Sequence, residues 1–120
     1  MTKISKIIFI SVLISLFICF LSYAGEGMVV TNPIDTNEYE QIYYYQYEDY
    51  SYAKNEWKQV WNNWYYFGED GRSKQNTWAE IDEKWYYFDE WSRMLHDTTT
   101  PDGYYVGSDG AWDGEPAKIS

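Results

Sequence analysis

The sequence predicts an all-β protein of stacked β-hairpin repeats, about 21 residues each, behind an N-terminal signal helix. Three observations support this prediction. Aromatic residues make up 22% of the chain, far more than a core of aliphatic side chains would contain. The block Trp64-Tyr65-Tyr66-Phe67 recurs 21 residues later as Trp85-Tyr86-Tyr87-Phe88, and Trp57 recurs as Trp78 at the same spacing. A fixed period of this length is typical of a repeat architecture.

The first 24 residues are predicted to form a secretory signal peptide. Lys3 and Lys6 precede an apolar run from Ile7 to Leu21, and the small residues in Ser22-Tyr23-Ala24 suit cleavage after Ala24. A retained membrane anchor is the alternative, but the run of 15 residues is shorter than the roughly 20 that a spanning helix needs. Cleavage would also remove Cys19, the one cysteine, so no disulfide is expected.

Acidic residues dominate the exported part of the chain. Without Lys3 and Lys6 it contains seven basic residues against 19 acidic ones, a formal charge of about −12. Such a surface repels nucleic acid and anionic lipid. We therefore expect no nucleic-acid partner and no membrane contact once the signal is cleaved. The charge either concentrates small cations or only keeps an aromatic-rich protein soluble.

The repeat extends in altered form on both sides of the regular blocks. A further shift by 21 places Tyr43-Tyr44-Tyr45 under the first block, so residues 36–56 are interpreted as a degenerate first unit. A disordered acidic arm or a separate binding surface are the alternatives for this stretch. Tyr104-Tyr105-Val106-Gly107 repeats the end of the block at a shortened spacing, in a last unit without either tryptophan. The predicted domains are the signal (1–24), a linker (25–35), the repeat domain (36–114) and a tail (115–120).

Each regular unit is predicted to be a hairpin with a two-residue turn. In the second one, strands 78–81 and 84–88 flank Asp82-Glu83, so that Glu80 pairs with Trp85 and Trp78 with Tyr87. Alternation along the strands then groups three aromatic side chains on one face of each hairpin. These are Trp57, Trp64 and Tyr66 in the first hairpin, and Trp78, Trp85 and Tyr87 in the second. Neither Trp61-Asn62 nor Asp82-Glu83 contains the glycine that such turns favour.

The pattern of Trp, six residues, Trp-Tyr-Tyr-Phe and then Asp-Gly resembles the cell-wall-binding repeat of Gram-positive surface proteins, also called the choline-binding or glucan-binding repeat. The resemblance is clear over residues 57–114 and weak over 36–56. It implies a β-solenoid of hairpins, with ligand sites between successive units. In choline-binding members, two Trp from one hairpin and a Tyr from the next surround a quaternary ammonium group. Carried over to this chain, the expected cages are Trp57, Trp64 and Tyr87, and then Trp78, Trp85 and Tyr105 with Met94 alongside.

The function expected from this resemblance is attachment to the cell wall by a secreted, non-enzymatic protein. The expected partner is choline on teichoic acid or a similar wall polymer, because aromatic faces attract a cation that cannot donate hydrogen bonds. Glucan binding by the same repeats is one alternative, and a structural role in which the tryptophans only pack the hairpins together is another. Trp61 and Trp91 break the pattern and are expected to be exposed.

No sequence motif for catalysis is present. The sequence has no nucleophile motif, phosphate-binding loop or metal-ligand spacing, so neither an enzyme nor a cofactor is expected. His96, the one histidine, is predicted to be an ordinary surface residue. Carboxylate pairs such as Glu69-Asp70 lie in the repeated turns, where solvated side chains are the ordinary interpretation. The oligomeric state stays open.

Overall fold

The computed structural model describes residues 25–31 and 41–118, and these residues form strands and turns only. The predicted signal peptide lies outside the described residues. Eight strands pair in chain order into four two-stranded antiparallel hairpins. The strands are β1 (Gly27–Thr31), β2 (Ile42–Gln46), β3 (Glu56–Val60), β4 (Asn63–Phe67), β5 (Thr77–Ile81), β6 (Lys84–Phe88), β7 (Thr98–Thr99) and β8 (Tyr105–Val106). No helix in this described part could cross a membrane. The prediction of an all-β chain of hairpins is confirmed for these residues.

The two regular hairpins have the predicted register. Glu80 is paired with Trp85 and Trp78 with Tyr87, and Trp57 is paired with Tyr66 in the hairpin before. Both residues of each two-residue turn have positive φ, 50° and 68° at Asp82 and Glu83. This backbone conformation matches the right-handed twist of the flanking strands, although residues other than glycine and asparagine rarely adopt it. The pairing of the strands therefore holds these turns in place.

The first hairpin begins earlier than the sequence analysis expected. Strand β1 takes residues from the stretch assigned to a linker, and Met28 is paired with Tyr45 in β2. Tyr43-Tyr44-Tyr45 do form the second strand, as the shift by 21 implies. The connection between β1 and β2 spans residues 32–41, however, whereas the regular hairpins have two-residue turns. A constant period of 21 residues therefore places the first strand of this hairpin too late in the sequence. For this reason the predicted linker at 25–35 and the predicted start of the first unit at 36 were wrong.

Successive hairpins are joined by backbone hydrogen bonds at equivalent positions. Each of the last three hairpins is followed by a short segment that turns back. One amide of this segment donates to the second strand of the hairpin one unit earlier in the chain. These bonds run from Ser73 N to Tyr43 O (2.9 Å), from Met94 N to Trp64 O (2.8 Å) and from Trp112 N to Trp85 O (2.8 Å). Each junction thus has the same backbone frame, and its chemistry depends on the side chains placed there.

The core is a row of side chains at one repeated position, the last residue of the second strand. Phe67, Phe88 and Val106 stand there and have no solvent exposure. Around Phe88 the buried side chains of Ala79, Ile81 and Met94 form a cluster, against which partly buried aromatic rings pack. A core this small leaves much of the stabilisation to the aromatic rings between hairpins, each of which can bury roughly 150–250 Å².

Candidate ligand-binding notches

The first notch lies between hairpin β3–β4 and hairpin β5–β6. Its apolar walls are Trp57 and Trp64 from the first of these hairpins, Tyr86 from β6, and Met94. The rings of Trp57 and Trp64 stand 6.3 Å apart at 85°, and those of Trp57 and Tyr86 stand 4.8 Å apart at 75°. Polar side chains line the rest of this cavity of about 600 Å³, namely Gln59, Asn62, His96, Ser108 and Asp109. The notch is open to solvent, and 40% of Trp64 is exposed.

The second notch lies one junction further along and is lined by four aromatic side chains, one more than the first. Trp78, Trp85, Tyr104 and Trp112 line a cavity of about 320 Å³, together with the carboxylate of Asp102. The ring of Tyr104 is nearly perpendicular to both Trp78 (87°) and Trp112 (90°), at 5.8 Å from each. Such edge-to-face contacts hold the rings in fixed orientations while leaving their faces available. Both cavities fall within the size range of ligand sites, roughly 300–1,000 Å³.

The structure places, in each notch, the tyrosine next to the one expected for the cage. Tyr86 lines the first notch in place of Tyr87, and Tyr104 lines the second in place of Tyr105. The reason is strand alternation. Tyr87 lies on the face that packs on its own hairpin's Trp78, at 5.4 Å between ring centroids. Its neighbour in the strand must face the opposite side, towards the preceding hairpin.

Met94 also lies in a different notch from the one expected. It lines the first notch, between Trp57, Trp64 and Tyr86, and it does not line the second. Its amide donates to Trp64 O, which places the thioether beside the hairpin before it. Trp112 makes the same bond to Trp85 O and occupies the equivalent place in the second notch. The structure brings together the tryptophan pair of each expected cage, Trp57 with Trp64 in the first notch and Trp78 with Trp85 in the second.

Each notch contains one carboxylate that sequence reasoning missed. Asp102 Oδ2 accepts a hydrogen bond from Trp78 Nε1 (2.8 Å), and Asp102 Oδ1 accepts one from Thr100 Oγ1 (2.5 Å). Partial burial acts to raise the pKa of Asp102, but these two hydrogen bonds outweigh it and hold the pKa below its ordinary value. In the first notch Asp109 lies 3.8 Å from Lys84 Nζ, which offsets part of its charge. Pro101-Asp102-Gly103 reads as a turn in the sequence, and only the fold places it against Trp78.

Tyr86 is the other titratable wall residue with a shifted pKa. Burial, and then the charges of Asp109 and Asp82, raise the pKa of its hydroxyl above the ordinary value. The ring is therefore neutral at physiological pH. Among the described residues no group of His, Cys, Asp and Glu is arranged to hold a metal ion. The chemistry that these notches offer is aromatic faces plus a negative charge, which suits a small organic cation.

The junction before the first notch has the same frame with different side chains. By strand pairing, Met28 stands where Trp57 stands in the next hairpin, and Tyr43 stands where Trp64 does. Ser73 takes the place of Met94. This junction therefore has no tryptophan pair. Trp61 and Trp91, which break the period, line neither notch and are 90% and 50% exposed, as predicted.

His96 is exposed, as expected, but its ring forms part of the first notch. Its Nδ1 lies 3.0 Å from Asp97 Oδ2. No sequence signal marks this position, because His96 aligns with Gln75 of the preceding repeat.

Comparison with known families gives two adjoining matches. The family model described as a choline-binding repeat matches residues 73–112, and the model of a cell wall binding repeat matches residues 55–73. These ranges contain both notches. No significant match is found among curated protein sequences.

Solved structures with the same fold include two proteins of Streptococcus pneumoniae and a pneumococcal cell wall endolysin from a phage. The choline-binding domain of Spr1274 from Streptococcus pneumoniae is 30% identical with a TM-score of 0.57, and the match covers 69% of this chain and 90% of that one. Choline binding protein F of Streptococcus pneumoniae, in the presence of a peptidoglycan analogue, is 30% identical with a TM-score of 0.53, over 59% of this chain and 23% of its own. The pneumococcal cell wall endolysin from phage Cp-1, complexed with choline, is 21% identical with a TM-score of 0.57, over 72% and 25%, and this likeness concerns the fold alone. The chain thus spans about a quarter of the last two structures. On the strength of the repeat matches and the Spr1274 domain, this chain belongs to the family of choline-binding, cell-wall-binding repeats, whose domains are binding modules.

Proposed function

We propose that the protein is a non-catalytic attachment module that holds choline groups of a wall polymer, such as a teichoic acid, in its two notches. The observation that carries this proposal is the set of rings at each junction. Tryptophan and tyrosine rings from two hairpins stand at steep angles around one space, with a carboxylate at its edge. A trimethylammonium group has no N–H to donate, so ring faces and a nearby negative charge are its natural partners.

The strength of such a site is limited. A cation over one aromatic face is stabilised by about 0.5–2 kcal/mol, so a few faces give a dissociation constant in the millimolar range, near −4 kcal/mol. Two weak sites on one chain can still retain a polymer that carries many choline groups, because the second site then binds intramolecularly. We therefore infer reversible attachment at the cell surface by a secreted protein, with the two notches acting together.

The inferred supramolecular form is a β-solenoid of hairpins. The three equivalent backbone bonds between successive units support this form, because identical junctions repeated along a chain produce a regular superhelix. The likeness to a domain described as choline-binding, at 30% identity over 90% of its length, supports choline as the ligand.

Retention on a tertiary-amine resin tests the proposal, provided that simple ion exchange is suppressed. A chain with a formal charge of −10 binds any cationic matrix at low salt. The column should therefore be run at about 1 M sodium chloride, where the Debye length is only about 3 Å. We expect the protein to stay bound under these conditions and to elute when part of the sodium chloride is replaced by choline chloride at constant ionic strength. Elution by salt alone would contradict the proposal.

Two alternatives predict different results in the same experiment. Trp61, with 90% of its surface exposed at the tip of hairpin β3–β4, favours glucan binding as the second candidate, since its face is free to stack on a sugar ring. A protein that ignores the amine resin but is retarded on α-glucan, with loss of that retardation in Trp61→Ala, would support this alternative. Binding to neither matrix would leave the structural role, in which the tryptophans serve only to pack the hairpins.

A further inference from the structure

Asp102 differs from Asp109, the other carboxylate that lines a notch, because two side-chain donors fix its orientation. Thr100, which is only 3% exposed, donates to one of its oxygens, and the Trp78 indole donates to the other. The turn beneath is closed by Thr100 N to Tyr104 O (2.7 Å) and Gly103 N to Thr100 O (2.9 Å). The carboxylate is therefore held in one orientation, next to the faces of the rings that line the notch.

Asp102 also keeps its charge and part of its hydrogen-bonding capacity. A carboxylate oxygen can accept about two hydrogen bonds, and each oxygen of Asp102 accepts one. Within residues 25–31 and 41–118, no lysine or arginine forms an ion pair with it. Asp109 of the first notch differs in this respect, because Lys84 lies 3.8 Å away. In the second notch a negative charge and free acceptor sites thus stand beside four aromatic rings.

This arrangement treats two kinds of ammonium group differently. A quaternary ammonium group feels the negative charge but cannot form a hydrogen bond to it. A protonated primary, secondary or tertiary amine can place its N–H on a carboxylate oxygen in a charge-assisted hydrogen bond, which is among the stronger polar contacts in proteins. An aromatic cage without such an acceptor favours the quaternary group, which loses less hydration on entering.

On the basis of the proposed function, we propose that Asp102 makes the second notch select ammonium groups that carry at least one N–H, whereas the first notch, whose Asp109 is already paired with Lys84, discriminates less between them. The two notches then differ in preference, and a polymer that presents both kinds of group is held most firmly. Because Asp102 is exposed on one side, water weakens the contact, and the preference at the second notch is roughly three- to tenfold rather than a hundredfold.

The test uses choline and dimethylaminoethanol, a pair in which one methyl group on nitrogen is replaced by a proton at neutral pH. Binding at each notch is followed through indole N–H signals in NMR spectra of the full chain, with Trp57 and Trp64 reporting on the first notch. Trp78 and Trp112, whose indoles donate to Asp102 and to Glu115 O, report on the second. We expect dimethylaminoethanol to bind more tightly than choline at the second notch and to show a smaller preference, or none, at the first.

Asp102→Asn separates selection from folding, because asparagine can still accept from Trp78 while its charge is gone. We expect this variant to lose the preference for dimethylaminoethanol at the second notch and to keep the order of affinities at the first. Asp70→Asn removes a charge from a turn that lines neither notch, and it should change no ratio. Equal weakening of both ligands in Asp102→Asn, or an equal preference for dimethylaminoethanol at both notches of the unmodified protein, would overturn the selection and leave choline binding intact. If no indole signal moves with either compound, the proposed function fails and this inference fails with it.

Discussion

Two neighbouring tyrosines differ in their relation to the second notch. Tyr104, just before β8, packs between Trp78 and Trp112 with its ring in the notch wall, whereas Tyr105, in β8, does not line the notch and is 38% exposed. Tyr104→Ala should therefore lower choline affinity at the second notch by roughly five- to tenfold, the loss of about one cation–π contact. Tyr105→Ala is the matched control and should change it less than twofold, as measured by the indole signals. The opposite ranking would restore the cage expected from sequence.

Lys58 provides an internal cation at the junction that lacks tryptophans. Its Nζ lies 4.9 Å from the ring centre of Tyr45 and 4.6 Å from that of Tyr47. Lys58→Met keeps the apolar stem and removes the charge, so we expect the free energy of unfolding to fall by about 1 kcal/mol in urea denaturation. Lys54→Met, at an exposed position, is the control and should be close to neutral.

The pH dependence of this difference follows from the lysine's pKa. The Tyr47 hydroxyl, first of all, raises the pKa of Lys58 above its ordinary value. A raised pKa means that the folded state keeps its proton longer than the unfolded state. The contribution is therefore complete below the unfolded value of about 10.4 and is lost as the pH rises through the folded one. The gap between Lys58→Met and the unmodified protein should be constant from pH 6 to 9 and shrink above about pH 10.4. A gap that closes already near neutral pH would rule out this origin.

At the scale of the element, the hairpin turns contain strain that a substitution can relieve. Glu83 has a φ of 68°, and it follows Asp82 at 50° in a turn where glycine and asparagine are favoured. Glu83→Gly should raise the free energy of unfolding by about 0.5–1 kcal/mol, the strain relieved less the extra freedom of glycine in the unfolded chain. Glu80→Gly, in the middle of β5, should instead lower it by about 0.5–1 kcal/mol, since glycine has no strain to relieve there. Equal effects of the two substitutions in urea denaturation would show that the turn is not strained.

Sequence alone predicted the regular hairpins well because two independent signals agreed there. The two-residue turn at Asp82-Glu83 places Trp78 opposite Tyr87, as found, and the alternation along the strands groups their side chains on one face. The first hairpin had only the period, and the longer connection between β1 and β2 broke it. The resemblance to the family supplied the tryptophan pairs of both expected cages, and each pair lines one notch. The resemblance does not determine which residues of the next unit face back, so it pointed to Tyr87 and Tyr105 instead of their neighbours.

The 21-residue repeat pattern did not predict the notch residues that lie in turns. Asp102 lies 24 residues after Trp78, and their hydrogen bond depends on how the last, shortened unit folds over the hairpin before it. Trp112 is visible in the sequence as an extra tryptophan, but its place in the notch depends on the backbone bond from its amide to Trp85 O. Contacts of this kind depend on how two units pack at a junction. The local secondary-structure propensity of the sequence does not determine that packing.

For the whole molecule, binding and folding are coupled because every notch is built from two hairpins. Trp57 and Trp64 in one hairpin meet Tyr86 in the next, and the bond from Met94 N to Trp64 O fixes their separation. A ligand in the notch is thus bound only while both hairpins are folded and docked. A compound that binds the folded state alone stabilises it according to its concentration relative to the dissociation constant.

Choline should therefore raise the melting temperature by an amount that depends on how many notches it occupies. At a concentration ten times the dissociation constant, each occupied notch adds about 1.4 kcal/mol, so two add about 2.8 kcal/mol and raise the melting temperature by roughly 10 °C or more. Sodium chloride at the same ionic strength is the control, because screening of a chain with a formal charge of −10 also stabilises it. Because its affinity at the second notch is lowered five- to tenfold, Tyr104→Ala should retain the full increment of the first notch and about a third to a half of the second, roughly 2 kcal/mol in all, as measured by circular dichroism. An undiminished increment in that variant would mean that choline stabilises the chain from somewhere other than the second notch.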